Sequence, residues 1–278
     1  AGNHGVCAQG VSAFPPEVTV QMVANFTHGG AAINQLAKAF GASMTVNAID
    51  LDRPTADFTQ SDAMSEADLL AALLVGWDAV DPKADLLVPG EMGIGNTAIS
   101  SLLMSALTGL PLAACVGPGT GLDSAGVARK LALLERVRQR PTEPLPKGDA
   151  AAEAITLLRR YGGFEIAALA AAISTVAASR TVALIDGFAV TVAALLAERM
   201  RPGTLSRCIV SHCSAEPAHR LLLEQLRIEP LLSLGLRLGE GSGALLALPM
   251  LRNSVALFRN MATFGSAGVS TKSPGSDG

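Results

Sequence analysis

A chain of 278 residues and 28.4 kDa can bury a large core as one or two domains. A net charge of −3 offers no basic face for nucleic acid, and 49% hydrophobic but only 4% aromatic residues suit helices packed on a parallel sheet better than an all-β sandwich. The mean hydropathy of +0.38 raises the question of a membrane, but the two most apolar segments, Gly163–Ser179 and Thr181–Ala197, each hold an acid (Glu165, Asp186) and fall short of the ~20 apolar residues of a span.

Taken in order, AGNHGVCAQGVSAFPPEVT is loop-like, broken by Gly2, Gly5, Gly10 and Pro15-Pro16, and starts as though a strand should feed Gly2. No basic n-region precedes it, so no signal peptide is expected. Glu17 to Phe40 has apolar residues at helical spacing, interrupted at Gly29-Gly30. Ser43–Leu51 reads as a strand, and Ser65-Glu66-Ala67-Asp68 as a capping-box start to a helix running to about Val80. Ala84–Val88 reads as a strand, followed by the loop GEMGIGNT and a helix over Ala98–Leu107. That order aims backbone amides and a helix dipole at an anion, usually phosphate. It is neither a Walker loop nor a dinucleotide fingerprint.

The pattern recurs with a predicted strand at Leu112–Val116, the turn GPGTG, and a helix over Asp123–Arg138 that contains Lys130. The proline-rich stretch Arg140–Asp149 reads as a surface linker. Helices are predicted at Ala151–Tyr161, Phe164–Ala178 and Gly187–Met200, with strands at Thr181–Ile185 and Ser206–Ser211. SHCSAEP then leads into a helix that begins at Pro217. The chain closes with Ser233–Met261: a strand, the turn GEGSG around Glu240, and a long helix, before a tail over 273–278 that reads as disordered. Alternating strands and helices imply an α/β fold with a mainly parallel, Rossmann-like sheet. Its loops GEMGIGNT, GPGTG, DGF, SHCSAEP and GEGSG would gather on one rim as a pocket for a small phosphorylated ligand.

GEMGIGNT, SHCSAEP and LRLGEGSGA together resemble the nicotinate-nucleotide–dimethylbenzimidazole phosphoribosyltransferases of cobalamin nucleotide-loop assembly. The resemblance runs from Gly2 to about Lys272 and includes GNHGV, QMVANF, GGAAIN, PTADFTQ, GGFEIAA and DGFAVTVAA. It implies transfer of phosphoribose from nicotinate mononucleotide to 5,6-dimethylbenzimidazole by a cytoplasmic homodimer that needs no cofactor or metal. It also implies a small helical domain built from the chain ends and incomplete at the N-terminus. On this reading 1–42 serves the base pocket and the small domain, 43–240 is catalytic, and the helix over 241–272 packs on the small domain. Glu240 matches the general base, Glu91 the glutamate of GEMGIGNT, and Lys130 a lysine lining the site. Gly93, Ile94, Gly95, Asn96, Gly119, Thr120 and Gly121 would hold the phosphate, with Ser214 near the ribose. Ala13, Phe14, Gln21 and Leu238 would form the base pocket.

Pro118 and Cys213 stand where arginine is usual in that family, and Phe14 where tyrosine is common; fewer cations would face an anionic ligand. His4, His28, His212 and His219 read as structural, Asp186 as either a helix cap or a pocket residue, and Cys213 as no nucleophile. The four cysteines (Cys7, Cys115, Cys208, Cys213) are expected to be reduced and lack metal-ligand spacing, and Met92, Met104, Met250 and Met261 are expected in the core. Two other readings stay open: a relative that uses another lower-ligand base, and a non-catalytic or fragmentary relative that only binds a ligand or partner.

Overall fold

The computed structural model describes residues 1–270, so the tail over 273–278 lies outside them. Helices α1 (Glu17–Thr27) and α2 (Ala32–Phe40) come first, then α3 (Glu66–Asp78), β1 (Leu86–Leu87), α4 (Asn96–Thr108) and the single turn α5 (Leu112–Cys115). They are followed by α6 (Ser124–Gln139), α7 (Ala150–Tyr161), α8 (Phe164–Val176), β2 (Val182–Ile185) and α9 (Phe188–Met200). The chain continues through β3 (Cys208–Val210), α10 (Pro217–Leu226) and α11 (Ser242–Asn260).

The three strands pair in parallel in the order β1-β2-β3, flanked by helices, as the alternating pattern implies. The core lies where α8 and α9 pack with α3, α4 and α7. From Phe188 to Ala197 every residue of α9 is buried, which explains a helix with no polar face. Glu165 and Asp186, the acids inside the two most apolar segments, are both buried and engaged in the site described below. Among the described residues no helix is long and apolar enough to cross a membrane. The first and last helices meet: Phe26, Ile33 and Ala37 pack with Leu245 and Leu248 of α11 in a smaller cluster.

Three predicted strands are corrected. Leu112–Val116 forms the turn of helix α5, consistent with an alanine-rich LAAC that carries no β-branched side chain. Over Ser43–Leu51 only Ile49 pairs, in an isolated parallel bridge to Gly2, while 43–47 line a cavity and have no neighbouring strand to bond. After the bridge between Leu232 and His212, Gly235 takes a left-handed φ of 67° and ends the extended run before Leu238. Two methionines are also misplaced: Met250 and Met261 are exposed, on the outer face and at the end of α11. The capping box is present, with the Ser65 hydroxyl accepting from the Asp68 amide at 3.1 Å and Asp68 accepting from the Ser65 amide. The four cysteines are free.

Helices α3 and α8 meet at Gly76, where an added Cβ would run into the backbone of Ala168. At an open helical site Gly→Ala gains about 1 kcal/mol from propensity. Here Gly76→Ala should instead destabilise the chain by about 1–3 kcal/mol through overpacking, read as a lower urea midpoint. A raised midpoint would show that the two helices do not meet this tightly.

Candidate active site

The loops that follow β1, β2 and β3 all leave from the strands' C-terminal ends, where open parallel sheets place their ligand crevices. Asp186 ends β2 and is almost fully buried. Its Oδ2 accepts the Gly241 amide at 3.2 Å and its Oδ1 the Ala244 amide at 2.8 Å. It is therefore the anion at the N-terminus of α11, supplied by a distant strand because Gly241 at the cap position has no side chain to do it. His212, from the loop after β3, donates Nε2–H to Asp186 Oδ1 at 3.2 Å. Of the two roles left open for Asp186, the helix cap is the one formed.

This clamp holds the turn that carries Glu240. Gly239, Glu240 and Gly241 have φ of 84°, 65° and 82°, three left-handed residues in a row. For a non-glycine residue that conformation costs about 1–2 kcal/mol, a strain typical of functional turns. Gly90 lies against the Glu240 carbonyl with no room for a Cβ, so the GEMGIGNT and GEGSG loops are in direct contact. Glu240 is 7% exposed, and its Oε2 has no hydrogen-bond partner. Burial raises its pKa and the Asp186 charge adds to that, against the Ile33 amide, which lowers it.

Glu91 accepts a short hydrogen bond from Asn96 Nδ2. Burial, then the charges of Asp186 and Glu165, push its pKa up to about 8. Glu91, Glu165 and Glu240 all reach the wall of a cavity of about 1040 Å³ that extends between β1 and α11. Gly90, Glu91, Met92 and Glu240 bring the GEMGIGNT and GEGSG loops to that cavity, whereas Lys130 and the GPGTG turn do not line it. Glu165 pairs with His4 at 2.9 Å, with both side chains buried.

Lys130 is 1% exposed and donates to Thr97 Oγ1 at 2.9 Å and to the Gly117 carbonyl at 3.2 Å. Burial brings its pKa down to about 8, with the Glu216 carboxylate acting the other way. Of the four amides over 93–96, that of Ile94 is spent on Thr19 Oγ1 at 3.1 Å and that of Asn96 on the Gly93 carbonyl at 3.0 Å, which leaves those of Gly93 and Gly95. Thr120 meets Ser12 through their hydroxyls at 3.2 Å, Gly119 packs against Thr97, and Gly121 donates its amide to the Pro118 carbonyl. Ala13, Phe14, Gln21 and Leu238 are exposed, Phe14 at 49% and Leu238 at 56%.

His219 is fully buried and its tautomer can be read from its partners. The Ser214 amide donates to Nδ1 at 2.9 Å, so Nε2 carries the hydrogen and donates to Thr191 Oγ1 at 2.9 Å. Burial, then the neighbouring His212, lowers its pKa to about 3, with Asp186 opposing. His212 and His219 are thus structural, tying SHCSAEP to α9 and α11. The sequence reading gave no role to Glu165, Thr97 or Glu216. One signal was present for Glu216: glutamate is a poor residue at the N-cap before Pro217, so its side chain was free for other contacts.

A carboxyl whose folded pKa is raised binds more protons folded than unfolded, so its contribution to stability is lost as pH rises through the folded value. For Glu91 the window runs from 4.5 to about 8, while the lowered pKa of His219 acts oppositely between about 3 and 6.5. Between pH 6.5 and 8 the Glu91 contribution should therefore fall with pH, against the buried Ala1 amine whose lowered pKa acts oppositely, and Glu91→Gln should make the slope in urea titrations less negative. An unchanged slope would show that Glu91 is not held neutral.

The sequence model of the family described as "Phosphoribosyltransferase" matches residues 1–269. The nicotinate-nucleotide–dimethylbenzimidazole phosphoribosyltransferase of Cereibacter sphaeroides is 50% identical over 269 residues, 97% of this chain and 78% of that protein. Its counterpart in Jannaschia sp. is 53% identical over 270 residues, with the same two shares of 97% and 78%. The crystal structure of CobT from Thermus thermophilus superposes with a TM-score of 0.88 at 40% identity, covering 98% of this chain and 85% of that one. The chain belongs to the phosphoribosyltransferase family of which the nicotinate-nucleotide–dimethylbenzimidazole enzymes are members.

Proposed function

We propose that this chain transfers phosphoribose from nicotinate mononucleotide to 5,6-dimethylbenzimidazole, giving nicotinate and α-ribazole 5′-phosphate. The observation that carries the reading is the buried Glu240 carboxylate, its Oε2 without a hydrogen-bond partner, held in a left-handed turn against Glu91, in a chain about half identical to enzymes of that name. A benzimidazole nitrogen attacks C1′ of the ribose as the bond from C1′ to the pyridinium nitrogen breaks. The bonding pair returns to the nicotinate ring and neutralises it. The second benzimidazole nitrogen then loses its proton to Glu240.

The two carboxyl groups take different roles in this proposal. Glu91, at about 8, is mostly protonated at neutral pH and adds no second full charge beside the base. Glu240 is the acceptor in this proposal, and its pKa, raised mainly by burial, improves its match to a proton on a ring nitrogen. Lys130 supplies the fixed positive charge on the phosphate side, reinforced by the amides left free at the head of α4. The family resemblance further supports a cytoplasmic homodimer.

Mixing the protein with nicotinate mononucleotide and 5,6-dimethylbenzimidazole should release nicotinate and α-ribazole phosphate in equal amounts by chromatography; no product from the folded chain would refute the reading. Glu240→Gln should lower kcat by about 10²- to 10⁴-fold, the usual worth of a general base. Nucleotide affinity, by calorimetry, should change little. Full turnover in that variant would remove Glu240 from the proton transfer.

A further inference from the structure

Glu216 occupies the N-cap position of α10 yet makes no capping bond. Its side chain turns instead toward the GPGTG turn, where an added Cβ on Gly117 would overlap Oε2. The residue is 7% exposed, and Oε2 is fully buried without a hydrogen-bond partner. Lys130 does not supply one: its ammonium is spent on Thr97 and the Gly117 carbonyl, and the two charges form no ion pair within 4.0 Å. A buried carboxylate oxygen without a donor is costly, and such an atom in a native site calls for a water or a ligand group.

The chemistry of the ligand narrows that group. Burial raises the Glu216 pKa, while the Lys130 charge, a bond from the Gly119 amide and the Arg237 charge favour the ionised form, which only accepts hydrogen bonds. Phosphate oxygens and the nicotinate carboxylate also only accept and would be repelled. The benzimidazole N–H is claimed by Glu240. The remaining donors are the ribose hydroxyls, on the part of the ligand that joins the phosphate to the reacting carbon. Glu216 projects from the loop that holds Ser214, and that loop is fixed by His219. We infer that Glu216 is a specificity residue whose free oxygen accepts a hydrogen bond from one of the two hydroxyls of the substrate ribose. This rests on the proposed activity but concerns only how the sugar is read.

A site built to bond a hydroxyl rejects the analogue that lacks it. The wild-type protein should bind nicotinate mononucleotide about 10- to 100-fold more tightly than its 2′-deoxy or its 3′-deoxy analogue, whichever removes the partner of Glu216. Glu216→Gln should weaken the ribonucleotide and leave that deoxy analogue nearly unchanged, and Glu216→Ala should bring their ratio close to one, both by calorimetry. If the folded variants lose affinity for both ligands equally, or wild type does not discriminate, Glu216 is structural or solvated by water only and the inference fails. Should wild type bind no nicotinate mononucleotide, the proposed activity is refuted. The sugar assignment is then read from the same titrations with ribose 5-phosphate and 2-deoxyribose 5-phosphate: loss of discrimination in Glu216→Ala supports it, and an unchanged ratio overturns it.

Discussion

The buried carboxylate of Asp186 is the point on which the other parts of the site depend. It sits at the end of the central strand, takes two amides from the first turn of α11, and is bonded by His212 from the next strand's loop. An uncompensated anion at that depth would be severely penalised, and a helix N-terminus with unbonded amides would be too; each satisfies the other. The same charge then acts outward. It helps to raise the pKa of both Glu91 and Glu240, so one structural interaction fixes the turn's geometry and tunes the acids on it.

A second constraint comes from the layer beneath. Helices α8 and α9 are so rich in alanine that neighbours can approach to backbone contact, as α3 does at Gly76. Close packing of this kind leaves little freedom for the strand ends between the helices. The loops above can therefore hold unfavourable local geometry, three left-handed residues and several buried acids, without the site relaxing. The precision of the rim is inherited from the packing of small side chains below it.

Much of this was legible in the sequence, for local reasons. Ser65 and Asp68 announce a helix start three residues apart, and Pro217 marks another; the glycines around Glu91 and Glu240 mark tight loops at the ends of apolar runs. Family motifs brought Glu91, Glu240 and Lys130 forward together. What could not be read depends on partners far apart in the chain. Asp186 and Ala244 are 58 residues apart, so nothing beside Asp186 reveals that it caps α11. The His4 and Glu165 pair is hidden in the same way, each residue lying in an otherwise ordinary glycine-rich stretch. Strands were over-assigned where an apolar run had no ladder to join, since extended structure is a property of neighbours as much as of sequence.

The left-handed backbone at Glu240 limits how this protein can change. Apart from glycine, asparagine and aspartate enter that region most readily, and bulky or β-branched residues least. Of these tolerated types only aspartate keeps an acid, and its carboxylate would sit one carbon further from the reacting centre. Among single replacements, the backbone and the chemistry thus admit almost disjoint sets of side chains. On the proposed activity, new substrate preferences would arise instead at the expected base-pocket residues Phe14 and Leu238, both of which are exposed.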